Sequence, residues 1–267
     1  MNILYFDCMS GISGDMAVGA FLDMGIDPNG LACELSKIEL DAVYDIEAEK
    51  INKNGVRATA FNIYVDKSRS IYDFEDTAQI ILKSKLDSRA KKLSLLILKN
   101  FADAKSRVYG INQTYLKGED AVRAIVNMVS AAICVSMLGA DKIISSPLTE
   151  GLGYAMTEGG LMRVPVPCVT ELLKESGAPI EICSEKTQLI TPTGAAIICS
   201  LAQGFDEMPS MTVSATGFGA GKKDLDSRAN ILRVIMGRNE PVFYEESMCL
   251  LDTDSTYSRP GFLNSCK

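Results

Sequence analysis

Residues 7–16, DCMSGISGDM, carry the densest set of chemically useful side chains in the chain. Two carboxylates, Asp7 and Asp15, flank two glycines, Gly11 and Gly14, and two hydroxyls, Ser10 and Ser13. Glycines permit a tight turn and close backbone approach. A helix opening after the loop would present unpaired N–H groups, which attract an anion. Carboxylates beside such a turn suit a hard divalent cation, held alone or on a phosphate. Asp7, Ser10, Gly11, Ser13, Gly14 and Asp15 are therefore candidate ligand-binding residues. Cys8, the one thiol in the loop, is a candidate soft metal ligand. The same pattern also describes a plain strand-to-helix turn with Asp15 as helix cap, and the residues alone leave both readings open.

Three other segments bear on chemistry. Arg123, Asn127 and Ser130 fall at i, i+4 and i+7 of a very apolar stretch, so they line one narrow helical stripe. An arginine there needs a partner, or it lies near the helix start and reaches water. Gly217-Phe-Gly-Ala-Gly221 followed by two lysines resembles a phosphate loop but lacks its spacing, and a glycine-rich hairpin joint is the simpler reading. Thr191-Pro-Thr-Gly opens a helix with Thr as cap and Pro in the first turn, which serves capping and anion binding equally.

The elements that must position these residues read as mixed α/β, an α+β class. A strand at 2–6 leads through the first loop into helices at 16–24 and 29–37. Alternating residues over 42–66 around Asn54-Gly55 predict a central β-hairpin. Helical periodicity follows at 72–84, 87–107 and 119–139, and a strand at 142–145. Residues 151–160 read as a glycine-rich loop, and 168–176 as a helix. Strands at 210–217 and 230–237 are joined by the glycine run. Several helices are thus expected to pack on a mixed sheet. Residues 1–240 read as one domain and 241–267 as a tail, disordered or the truncated start of a second domain.

Composition narrows the chemistry. The 267-residue chain has a net charge of -7 and no histidine. About five or six histidines would be expected at a frequency of roughly 2%. The usual near-neutral base and commonest transition-metal ligand is therefore absent. An acidic chain without basic clusters disfavours nucleic acid and anionic membranes as partners. Eight cysteines without a CxxC pair support neither a disulfide framework nor a structural zinc site. No secretory signal leads the chain, so cytoplasm is the expected compartment.

MNILYFDCMSGISGDM resembles the opening of the LarC-type nickel-insertion family. AIVNMVSAAI, SSPLTEGLG, RVPVPCVTELL, TPTGAAII, and GFGAGKKDL with NILRVIMG resemble further family blocks in the same order, over about residues 1–240. The resemblance implies a lyase-type nickel chelatase, or cyclometallase. It would insert nickel into pyridinium-3,5-bisthiocarboxylic acid mononucleotide for the nickel-pincer cofactor of lactate racemase. It also implies CTP with manganese or magnesium, bound by a second domain, and so a separate carboxyl-terminal chain or an oligomer as partner. Some family members make that second half through a frameshift, which fits an out-of-frame tail here.

The departures from the family pattern fall together. Family histidines map to Tyr109, Tyr115, Lys117 and Gly159, and family aspartates to Arg123 and Asn127. The family's His-rich tract is replaced by residues 66–71, DKSRSI. Lys117 and Arg123 repel a divalent cation where the family would bind one. Both join the candidate ligand-binding residues, as cations standing in for a metal's charge against Asp7, Asp15 or Glu158. The alternatives are a non-catalytic scaffold that kept the fold, and a metal-free nucleotide- or phosphate-binding protein.

Overall fold

The computed structural model describes residues 1–66, 71–110, 115–157 and 159–239. The expected disorder of 241–267, Glu158, Cys249 and Cys266 lie outside the described residues.

The chain opens with β1 (Asn2–Asp7), α1 (Gly14–Asp23) and α2 (Pro28–Leu35). The hairpin follows as β2 (Tyr44–Lys53) and β3 (Val56–Val65), closed by Asn54 and Gly55 at positive φ, as an Asn-Gly turn requires. Next come β4 (Ile71–Asp73), α3 (Phe74–Lys83), α4 (Ser88–Tyr109), β5 (Tyr115–Lys117) and α5 (Gly118–Leu138). Then β6 (Lys142–Ser145), β7 (Leu148–Glu150), β8 (Tyr154–Thr157), β9 (Gly160–Arg163) and α6 (Pro167–Ser176). The described part ends with β10 (Ile180–Ile182), α7 (Pro192–Leu201), β11 (Thr212–Ala220) and β12 (Ile231–Arg238).

Six strands form a mixed sheet in the order β2-β3-β11-β12-β1-β6. β1 pairs antiparallel with β12 and parallel with β6, so the first strand lies beside the last described one. Alternation on β1 sends Leu4 and Phe6 into the main core and Ile3 and Tyr5 into a small cluster on the opposite face with Ile144 and Ile235. The helices stack on the Leu4–Phe6 face. α1 rests on β3, β11 and β12, and Phe21 meets Phe6 edge to face at 5.8 Å. α5 packs behind it against α1, α2, α4 and α7. By length and composition α5 could cross a membrane, yet 78% of its apolar window is buried inside this fold. Here it is the central core helix.

Two expectations are corrected. The glycine run is not a joint between strands: Gly217 and Gly219 lie within β11, where a β-carbon would come 2.0 Å from the Ala20 carbonyl oxygen and 1.8 Å from that of Met16. The missing side chains let α1 settle directly on the strand. Residues 151–160 are likewise not only loop, because β8 and β9 pair as a hairpin with Tyr154, Met156 and Leu161 exposed.

Candidate functional site

A cavity of about 930 Å³ opens where the amino ends of α1 and α7 meet α4, β5 and α5. Small-molecule sites span roughly 300–1,000 Å³, so it is large enough for a nucleotide-sized ligand. Each wall follows from local sequence.

The first wall is the start of α1. Ser13 is the cap, accepting a hydrogen bond from the Met16 amide at 3.1 Å, and Asp15 sits in the first turn where the helix dipole favours a negative charge. The expectation of Asp15 as cap is thus corrected by two residues. Gly14 lets α5 approach, since a β-carbon there would lie 2.7 Å from that of Asn127. The Asp15 carboxylate accepts from Asn127 Nδ2 at 2.8 Å and pairs with Lys222 Nζ at 2.7 Å.

The second wall is β5 with the start of α5. β5 pairs with β4 so that Leu116 points inward, while Tyr115 and Lys117 share the other face and line the cavity. The Lys117 ammonium stands 4.7 Å from the centre of the Tyr115 ring, within cation–π range. Asp120, Arg123, Ala124 and Asn127 then present one face of α5. Arg123 is partly exposed and bonds Glu119 at 3.3 Å one turn earlier, so it reaches water rather than a buried partner. Asn127 is buried, and its Oδ1 has no partner. Ser130, the third member of the stripe, is sealed in the core beyond the cavity.

The remaining walls join residues far apart in the chain. α4 contributes Phe101, Lys105 and Tyr109 at four-residue spacing, with the Lys105 ammonium 5.9 Å from the Tyr109 ring centre. Thr191 caps α7 by accepting from the Gly194 amide at 3.1 Å, and Pro192 and Thr193 face the cavity. Lys222, from the residues after β11, closes one side. Among the described lining residues, Lys105, Lys117, Arg123 and Lys222 face only Asp15 and Asp120 as carboxylates. The described lining thus carries four cationic and two anionic side chains, with Arg123 paired to Glu119 and Lys222 to Asp15, although the chain as a whole is acidic.

Of the candidates, Ser13, Gly14, Asp15, Lys117 and Arg123 meet in this cavity. Asp7, Ser10, Gly11 and Cys8 do not line it. Asp7 is held by Arg233 of the neighbouring strand at 2.5 Å, and Ser10 donates to the Ala229 carbonyl at 2.9 Å. Gly11, at φ +79°, lets the Leu189 carbonyl pass where a β-carbon would sit. Cys8 is fully buried against Ser145, and burial pushes its thiol up to about 12, so it stays protonated at neutral pH. Sequence reasoning missed Lys105 and Cys168 as lining residues; it weighed Thr191-Pro-Thr-Gly, which holds Thr193, for capping or anion binding, and set aside the glycine run before Lys222 as a hairpin joint. Only the four-residue spacing of Phe101, Lys105 and Tyr109 could have pointed to one of them. Among the described residues, no three Cys, Asp or Glu side chains gather as a metal-holding group.

The nickel insertion protein family model matches residues 4–256. The chain belongs to the nickel insertion protein family. The pyridinium-3,5-bisthiocarboxylic acid mononucleotide nickel insertion protein of Acetivibrio thermocellus is 38% identical over 275 residues, covering 98% of this chain and 67% of its own length. The protein of the same name from Clostridium kluyveri is 32% identical over 279 residues, covering 98% and 68%. A relative from Geotalea uraniireducens is 35% identical over 266 residues, covering 98% and 68%. No solved structure gave a significant match.

Proposed function

We propose that this member of the nickel insertion family acts on a pyridinium mononucleotide and holds it in the cavity between α1, α4, β5, α5 and α7. The observation that carries this reading is convergence. The first loop, the 115–127 segment and Thr191-Pro-Thr-Gly, distant in sequence, share one cavity of nucleotide size lined by four cationic side chains.

The Acetivibrio relative is named for a ligand with two thiocarboxylates and a phosphate. Sulfur donors suit nickel, and the phosphate suits a cationic wall beside helix amino ends. Nickel is cargo in this reading, and the ligand brings its own soft donors. The protein's residues bind and orient: Lys117, Arg123 and Lys222 draw the anionic groups, and Asp15, fixed by Asn127 and Lys222, shapes the floor. The family resemblance implies CTP with manganese or magnesium for a second domain, and the chain aligns with 67–68% of the length of these relatives. A second reading, a scaffold without chemistry of its own, is favoured by Tyr115, Lys117 and Arg123 at positions where the family resemblance implies metal-binding side chains.

The test incubates the full chain with nickel(II) and the mononucleotide. Parallel arms add CTP with manganese, and the carboxyl-terminal part of the Acetivibrio relative. Product is read by mass spectrometry and binding by calorimetry. A nickel-bearing mononucleotide in any arm supports insertion. Binding without product in every arm supports the scaffold. Neither binding nor product overturns the proposal.

A further inference from the structure

The Lys117–Tyr115 pair has a chemistry of its own. β-strand alternation places both side chains on the cavity face of β5, and the ammonium lies over the ring at 4.7 Å. Lys117 is exposed, so this cation–π contact is weak and gives way readily. A pyridinium ring is also a cation, but flat and weakly hydrated, and it can cover the face of a tyrosine as the compact ammonium cannot. Lys105 and Tyr109 repeat the arrangement on α4 at 5.9 Å.

We infer that Tyr115 and Lys117 form an exchange site for a pyridinium phosphomonoester, which binds without a divalent metal. The ligand's ring takes the tyrosine face, and the ammonium that leaves it pairs with the ligand's phosphate or ring carboxylate. One cation replaces another on the ring, so the tyrosine is never left uncovered. The released lysine meets its counter-ion on the same ligand, and Arg123 and Lys222 hold the rest of the anionic charge in place of a metal. A neutral or purely anionic phosphomonoester gains only half of this exchange. The inference rests on reading the cavity as the mononucleotide site, and its test uses no nickel.

The experiment titrates nicotinic acid mononucleotide into the full chain in a chelating buffer. Calorimetry is run beside intrinsic fluorescence, which comes from tyrosine because the chain has no tryptophan. Ribose 5-phosphate supplies the phosphate without the ring, and nicotinic acid riboside the ring without the phosphate. The whole ligand should bind at least about tenfold more tightly than either fragment and quench tyrosine emission. K117M should weaken binding by about tenfold; Y115F and Y115L should both lose the quenching, since the quenched fluorophore is gone, but by calorimetry Y115F should keep most of the affinity and Y115L lose most of it. All these side chains are at the surface of the cavity, and a thermal melt checks each variant's fold. Binding that appears only after a divalent metal is added, or that is equal for ring and phosphate fragments, overturns the inference while leaving the nickel-insertion reading intact. So does K117M binding as the native chain does.

Discussion

Asn127 donates its side-chain amide to the Asp15 carboxylate at 2.8 Å, tying the middle of α5 to the first turn of α1. Lys222 takes the other carboxylate oxygen at 2.7 Å. An amide at 127 can donate to the Asp15 carboxylate, whereas a carboxylate in its place would set like charge at hydrogen-bond distance. N127D should therefore cost about 1–3 kcal/mol at neutral pH in a chelating buffer. The same variant should acquire a metal response: adding nickel or manganese raises its melting temperature and leaves the native chain's unchanged. Calorimetric melts with and without metal check this, and an equal metal response in both proteins would refute it.

The seating of α1 on β11 depends on absent side chains. A β-carbon at Gly219 would come 1.8 Å from the Met16 carbonyl oxygen, a backbone atom that cannot swing aside. G219A should destabilise the fold by about 2–4 kcal/mol, with the helix forced off the strand. A urea titration measures the loss, and a midpoint within error of native would mean that α1 sits higher than described.

Glu150 is fully buried at the end of β7. Its Oε1 accepts from the amides of Leu189 at 2.6 Å and Gly151 at 2.9 Å, and its Oε2 has no partner. Burial raises its pKa above the ordinary carboxylate value, with the amide hydrogen bonds opposing the rise. The folded state thus holds this proton more tightly than the unfolded chain. Its contribution is fully present below the unfolded pKa and is lost as pH rises through the raised folded value. E150Q keeps an acceptor toward Leu189 and removes the charge, so it should flatten the stability profile over that window and be no less stable than native at neutral pH. Urea midpoints measured across the acid-to-neutral range decide; unchanged curvature in E150Q would assign the pH dependence elsewhere.

Thiol reactivity should follow exposure and burial. Cys33 is exposed, whereas Cys8 and Cys134 are buried, and burial raises both thiols, that of Cys8 to about 12. Iodoacetamide with peptide mapping should label Cys33 early and leave Cys8 and Cys134 unlabelled until denaturant is added. Early labelling of Cys8 would reopen it as a soft metal ligand.

Much of this architecture could be read from local pattern. Apolar periodicity marks α4 and α5, Asn54-Gly55 marks the hairpin, and the glycines and hydroxyls of residues 7–16 mark a strand-to-helix turn with ligand potential. What stayed hidden depends on distant partners. Asp7 looks as available as Asp15 until Arg233, on the far end of the chain, is found beside it. Gly217 and Gly219 look like a loop because the reason for them is α1, some 200 residues earlier. Cys168 carries no local sign that it faces the same cavity as Ser13, and the phosphate-loop likeness before Lys222 says nothing of which cavity it would serve. The side chains of Tyr115 and Lys117 face one way only because β4 supplies a three-residue partner strand.

The pairing of β1 with β12 also sets an order of events. The ribosome makes residues 2–7 first and their partners 231–238 more than two hundred residues later. Until then the first strand has an open edge and apolar Leu4 and Phe6 without their final neighbours, and long-range pairing of this kind closes slowly. Lys222 emerges almost as late. A nascent chain that stops before Lys222 lacks one wall of the cavity, and one that stops before β12 leaves β1 without its antiparallel partner.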